Sequence, residues 1–330
     1  MANQKLKIFT ITVGGGASSN ALYANGNQQC KVTIDILKQS YSNNSWGKTD
    51  LTQKEIDSLT VMTYSDQLYP NPTLPAGWSC DRDPNQYTQG LRGSTYAATA
   101  EPSDAELAVQ ASTTNEVPQT FYRYMRADRT GNQKFMACVT LETDAGPVRY
   151  STHFDNGDER YESSINIDPQ PAYTLRLSQL SASKNSVYHC GDKDNEINVD
   201  TYYWTLPSGV WILSESFSNA GWTNSKLQYA FVIPKDGYVR MGVAVRLGVT
   251  SLNLGEIDGG LPSQYWSVQV SLIPGNNMLR AVWYESWASS NAGNYNRDLS
   301  WSITDNYGCL SRFVLRAKDT SGKELTLIDA

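Results

Sequence analysis

Histidine is nearly absent from this sequence: His153 and His189 are the two in 330 residues. Neither sits in an H-E-x-x-H or comparable pattern, which removes the commonest zinc and acid–base arrangements. Cysteine is scarce and badly spaced for metal. Cys30, Cys80, Cys138, Cys190 and Cys309 form no C-x-x-C pair, so a zinc ribbon or thioredoxin-type motif is excluded. Cys30 and Cys138 fall in strand patterns and are expected as small buried hydrophobes. Cys80 and Cys190 are expected in loops, where a disulfide is left open; reduced thiols are the expectation. Basic charge is short too. Lys and Arg total 27 against 33 acidic residues, for a net charge of −6 with no Lys/Arg cluster. Phosphate binding needs a positive field, so a nucleic-acid partner is excluded. No apolar run approaches the roughly eighteen residues of a membrane span, and Met1–Ile8 lacks the apolar core of a signal peptide. The expected product is cytoplasmic when made, with release by lysis or non-classical export left open. No G-x-S-x-G or Walker loop occurs. Gly14-Gly15-Gly16 opens no helix and is followed by no Lys-Ser/Thr, so a phosphate cradle is excluded as well.

What is abundant is aromatic: 20 tyrosines and 9 tryptophans, in a chain that is 40% hydrophobic. Aromatic and β-branched enrichment favours strands, whose side chains alternate with period two. Phe135, Ala137, Val139 and Leu141 share one face and Met136, Cys138 and Thr140 the other. After Asp144-Ala145-Gly146-Pro147 the rhythm resumes through Val148, Tyr150, Thr152 and Phe154, which predicts a β-hairpin. Phe121–Met125, entering through Thr130-Gly131-Asn132, is expected as a third neighbouring strand. Leu6–Val13, Cys30–Leu37 and Thr60–Tyr64 read as further strands. Asp50 or Thr52 is expected to cap a short helix through Leu51–Leu59, with Glu55 three residues after Thr52 as in a capping box. Residues 65–119, with Pro70, Pro72, Pro75 and Pro84, read as a long irregular insertion holding a second capping box at Ser103-Asp104-Ala105-Glu106. Asp168-Pro169-Gln170-Pro171 is the expected linker, since prolines cannot join a central strand. Beyond it, strands are expected at Tyr173–Leu177, Ile197–Trp204, Leu227–Ile233, Val239–Leu247, Trp266–Leu272, Leu279–Trp283, Leu299–Ile303, Phe313–Ala317 and Leu325–Leu327. In these, Trp266, Val268, Val270 and Leu272 oppose Ser267, Gln269 and Ser271. Short strands at roughly ten-residue steps are the pattern of sandwiches or barrels.

Ala24-Asn25-Gly26-Asn27-Gln28-Gln29 leading into Cys30–Leu37, with the later Phe135–Phe154 hairpin, loosely resembles bacterial immunoglobulin-like modules over the first half of the chain. That resemblance implies a surface, adhesive or particle-associated role, as an analogy of fold. The expectation is an all-β protein of two antiparallel, immunoglobulin-like β-sandwich domains with a few short helical turns. The first covers 1–168 with the 65–119 insertion, the second 172–330.

Two constellations could carry function. Asp192-Lys193-Asp194-Asn195-Glu196 offers oxygens at alternate positions, as a loop around calcium does, although the glycine of an EF-hand is missing. Asp192, Asp194 and Glu196 are therefore candidate calcium ligands, against a solvated acidic turn. Asp155–Glu159 reads more simply as a hairpin tip. The second constellation is aromatic. Trp283 and Trp301 fall on inward strand positions and are expected in the core. Trp287 and Tyr295, with Asn291 and Asn294 between them, are the candidates for an exposed contact with a glycan or protein surface, because flat rings beside amides suit sugars. An enzyme on glycans is a third reading left open, but no pair of carboxylates stands out as its acid and base, so the expected function is non-enzymatic. It is that of a bacterial or phage structural or adhesive protein binding through loops and exposed aromatics, with homo-oligomerisation left open. The alternative is a β-rich pore-forming or insecticidal-type toxin, its inserting strands drawn from Val239–Leu247 and Trp266–Leu272.

Overall fold

The computed structural model describes residues 4–13, 20–93, 117–157, 159–191, 196–287, 289–291 and 293–330. Gly14–Gly16, Ser103–Glu106, Asp192 and Asp194 lie outside the described residues. The chain divides into two compact units, Met1–Ala172 and Tyr173–Ala330. Both are all-β.

In the first unit the strands are β1 (Gln4–Val13), β2 (Ala21–Tyr23), β3 (Cys30–Ser42), β4 (Ser45–Thr49), β5 (Thr60–Thr63) and β6 (Trp78–Asp81). They continue with β7 (Gln119–Ala127), β8 (Gln133–Thr143), β9 (Gly146–Ser151), β10 (His153–Asp155), β11 (Arg160–Glu162) and β12 (Ile165–Gln170). One sheet runs β1-β3-β7-β6 with β4 on β3; the other runs β2-β12-β8-β5 with β9 on β8. The pairs are antiparallel except β2 with β12, which is parallel. Val32, Ile34 and Ile36 of β3 meet Phe135, Ala137, Val139 and Leu141 of β8 in a single core, each completely buried. The two-residue rhythm thus reports the inward face correctly. On the reverse of β8, Met136 and Cys138 form a smaller cluster with Met62.

Three details depart from the sequence reading. Strand β7 is not a neighbour of β8: it pairs with β3 and β6, so the chain changes sheet at the Asp128–Asn132 turn. The expected linker is strand, because Asp168, Pro169 and Gln170 pair with Ala21, Leu22 and Tyr23. Strand β8 contacts β12 only as far as Ile167, so the N–H that Pro169 lacks removes no ladder bond on that side. Within the 65–119 segment, β6 is regular structure, and the stretch after it is fastened by side-chain amides. Gln28 Nε2 donates to the carbonyls of Thr88 (2.6 Å) and Gly90 (2.5 Å), and Asn85 N donates to Gln29 Oε1 (2.7 Å).

The helix α1 (Gln53–Ser58) is capped by Thr52, one of the two candidates, and not by Asp50. Glu55 N donates to Thr52 Oγ1 (3.3 Å) and Thr52 N donates to Glu55 Oε2 (2.7 Å). That same carboxylate is completely buried and receives Lys38 Nζ on both oxygens, at 2.7 and 2.8 Å. Burial disfavours the charge, but the Lys38 ammonium and the backbone N–H groups of Thr52 and Glu142 outweigh it and hold Glu55 below the usual carboxylate range.

The second unit contains β13 (Ser181–Cys190), β14 (Ile197–Thr205), β15 (Ile212–Ser218), β16 (Leu227–Lys235), β17 (Tyr238–Val245), β18 (Ser251–Asn253), the helix α2 (Leu254–Ile257) and β19 (Gln269–Ser271). It ends with β20 (Met278–Ser286), β21 (Tyr295–Asn296), β22 (Leu299–Asp305), β23 (Leu310–Ala317) and β24 (Leu325–Asp329). A six-stranded sheet has the order β13-β14-β20-β17-β16-β21, a four-stranded sheet the order β15-β22-β23-β24, and β18 pairs with β19. One face of the larger sheet buries Val199, Met241, Val243 and Tyr284 in a core shared with Leu252, Leu254, Ile257 and Val270. On the other face Gly242 makes room for Phe231 and Leu325, whose atoms an added Cβ would meet at 2.2 and 2.6 Å. Both sides of β17 are therefore covered, and nearly every residue in it is buried. Trp283 and Trp301 are core residues, as expected.

Strand character is absent from Tyr173–Leu177, where a short 3-10 turn begins at Leu177. Cys80 and Cys190 lie in β6 and β13 rather than loops, and no disulfide joins the five cysteines. Among the described residues no helix is long and apolar enough to cross a membrane.

Candidate functional site

Four neighbouring strands of the six-stranded sheet set a polar row across one of its ends. The register places His189 opposite Asn198, Asn198 opposite Glu285, and Glu285 opposite Arg240. Side chains directly opposite on adjacent strands face the same way, so residues far apart in sequence touch. His189 Nδ1 lies 2.5 Å from Asn198 Oδ1. Asn198 Nδ2 donates to Glu196 Oε1 at 2.8 Å and to Glu285 Oε2 at 3.4 Å. With the Asn198 nitrogen committed to carboxylates, its oxygen accepts, which places the His189 proton on Nδ1. Arg240 Nε donates to Glu285 Oε1 at 2.6 Å; at 4% side-chain exposure this guanidinium closes the inner end of the row.

An aromatic rim borders the row. Tyr238 at the start of β17 donates its hydroxyl to Glu196 Oε2 at 2.9 Å. Trp287, just past β20, donates its backbone N–H to the Glu196 carbonyl (3.0 Å) and stands edge-on to Tyr238, centroids 5.0 Å apart at 73°. The turn that permits this is Asp236-Gly237, with φ of 55° and 82°, as a tight two-residue hairpin requires. A Cβ on Gly237 would come within 2.0 Å of the Trp287 ring, so glycine is needed there twice, for its φ and for its missing side chain. The indole is held on two sides yet remains 39% exposed.

The electrostatics keep the central carboxylate ionised. Hydrogen bonds from Asn198 and Tyr238 hold Glu196 below the usual carboxylate range despite slight burial. A general acid must be pushed the other way. The bond to Glu196, with some burial, raises Tyr238 in turn. Glu196 is thus a fixed, ionised acceptor beside a rigid apolar ring.

Two residues expected at separate sites, Glu196 and Trp287, are brought together here. The other aromatic and amide candidates are not. Tyr295 packs its ring on Gly221 and buries its hydroxyl. Asn291 faces the Asp258–Gly260 turn, its Nδ2 3.5 Å from Asp258 Oδ1 and its Oδ1 accepting from Gly293 N (2.8 Å). Asn294 is exposed. Asp192 and Asp194 lie outside the described residues, and among those described no group of three His, Cys, Asp or Glu is placed to hold a metal.

Trp266 was missed. Its alternation with Val268 and Val270 suggests an inward position, but β19 begins only at Gln269, and Trp266 follows a 3-10 turn at Ser263–Tyr265. It is 49% exposed and borders an open cavity of about 220 Å³ with Asn253, Gly255, Glu256 and Gly259. The upstream Gly259-Gly260 and Pro262 were the available signal that the strand starts late. In the first unit a cavity of about 240 Å³ lies beside His153, whose Nε2 is 3.0 Å from Tyr64 Oη and 3.2 Å from Asp66 Oδ1.

No protein-family model matches the chain, and no curated protein matches it.

Proposed function

We propose that this chain is a non-enzymatic structural or adhesive protein, built of two immunoglobulin-like sandwiches, that recognises glycans at the Trp287 rim of its second unit. A pyranose presents an apolar face to an aromatic ring and hydroxyls at its edge to carboxylates and amides. Trp287 supplies the ring and Glu196 the polar partner, and hydrogen bonds to an ionised acceptor are the stronger kind. The observation that carries this reading is the half-exposed indole fixed between Gly237 and Tyr238, next to an acceptor held ionised. Rigidity matters because little side-chain freedom is then lost on binding. The bacterial or phage setting follows by analogy with adhesive modules of similar strand pattern.

The test is a glycan array read with the whole chain, its Trp287→Ala variant and its Glu196→Gln variant. Circular dichroism checks that each variant keeps its fold. Binding that falls about tenfold or more in Trp287→Ala, equivalent to about 1.4 kcal/mol, supports the site. An unchanged array profile, or no binding by the parent protein, refutes it.

A further inference from the structure

We infer that the cavity beside Trp266 is a second, separate saccharide-binding site, sized for one hexopyranose ring. It extends the recognition reading to another place on the second unit and shares only the ligand class with the Trp287 rim. Leaving half of an indole in water is unfavourable, and here the ring is not left loose. Trp266 Nε1 donates to the Leu261 carbonyl at 2.7 Å, which fixes the ring plane. Its Cβ and Cγ rest over Gly255, where an added Cβ would approach them to 3.0 Å. The Gly255 N–H is directed at the Trp266 carbonyl (3.3 Å), joining the indole's backbone to α2. Beneath, the Tyr229 hydroxyl reaches the carbonyls of Glu256 (3.1 Å) and Ile257 (2.6 Å), so α2 is itself anchored.

The polar wall is equally fixed. Glu256 Oε1 receives Lys226 Nζ at 2.6 Å and Oε2 receives Asn253 N at 2.9 Å. Both bonds orient the carboxylate, and each oxygen keeps acceptor capacity for a sugar hydroxyl. Next to the lining residue Gly259, Ser290 donates its N–H and its hydroxyl to the Gly260 carbonyl, both at 2.9 Å. The cavity of about 220 Å³ is below the usual range for drug-sized ligands, which suits a single ring. One-ring contacts give dissociation constants on the order of millimolar.

Gly259 provides a test that leaves the recognition groups in place. It lines the cavity, and a Cβ built on it meets nothing within 4 Å, so Gly259→Val adds bulk at the cavity wall with no Cβ contact to Trp266 or Glu256. The full chain, labelled with 5-fluorotryptophan, is titrated with methyl glycosides of glucose, galactose, mannose and N-acetylglucosamine while fluorine spectra are recorded. Trp266→Phe assigns the Trp266 signal. The expected result is a saturable shift of that signal with at least one glycoside, lost in Gly259→Val and weakened at least threefold in Glu256→Gln. The shift persists in Trp287→Ala, so failure of the rim and failure of this cavity are told apart. A Trp266 signal unmoved by all four sugars overturns the inference, as does a shift that survives Gly259→Val.

Discussion

Replacing Lys38 by methionine should destabilise the first unit sharply while leaving the second alone. Lys38 and Glu55 are 3% and 0% exposed, and both Glu55 oxygens lie within 2.8 Å of the ammonium. Methionine keeps the apolar stem but leaves a buried anion with only the Thr52 and Glu142 N–H groups, at 2.7 and 3.1 Å. Removing one partner of such a pair costs about 3–5 kcal/mol, and the two surviving donors put this case near the lower figure. For a unit of this size, about 2–4 °C per kcal/mol converts 3 kcal/mol into a fall of roughly 6–12 °C. Calorimetry of the full chain should show one transition moving and the other fixed. In the double variant Lys38→Met with Glu55→Gln, part of the loss should return, a coupling of at least about 1 kcal/mol. The folded carboxyl of Glu55 lies below its ordinary range, so its stabilisation is complete above the unfolded carboxylate range, about pH 4.3, and disappears as pH drops through the lower folded value. The gap between wild type and Lys38→Met should therefore narrow in acid. A fall under about 3 °C at neutral pH, strictly additive losses, or a gap that widens in acid would refute the reasoning.

Gly237→Ala should expel the Trp287 ring and strain the turn at φ 82°, destabilising by about 1–3 kcal/mol with red-shifted tryptophan emission; unshifted emission would mean the ring does not lie there. Tyr238→Phe deletes one of the two hydrogen bonds holding Glu196 low, so carbon-13 titration should find that carboxyl moving up, and an unchanged value would remove Tyr238 from the network. Burial pushes the Cys30 thiol to about 12 and Cys138 to about 11. Neither should react with a thiol reagent in the native protein at pH 8, whereas all five cysteines should react in guanidinium; fast native labelling of either would contradict the packing.

Much of the architecture was legible because its signals are local. Val32, Ile34 and Ile36 show their inward face through alternation, and Thr52 with Glu55 shows its cap within four residues. What was not legible depends on partners. The run Ser181–Cys190 is polar on both faces and becomes a strand only because β14 pairs along it. Alternation in Phe121–Met125 says which side faces inward but not which sheet receives it. The row of His189, Asn198, Glu285 and Arg240 exists through register alone, and no spacing in the sequence announces it. Glu196 and Trp287 were each visible by residue type, while the Tyr238 that joins them was not. Trp266 misled because the right phase at Val270 was extended one turn too far upstream.

The parallel pairing of Ala21–Tyr23 with Asp168–Gln170 also bears on how the protein is made. The hydrogen bond from Asn20 to Asn166 links positions 146 residues apart. At about 5–20 residues per second, a ribosome needs roughly 7–30 s between delivering the two. Throughout that interval the early strand has no edge to join. The β2–β12 edge of the first unit is therefore closed late, and a nascent chain halted before residue 168 would leave that edge open to whatever chaperone or neighbouring strand meets it first.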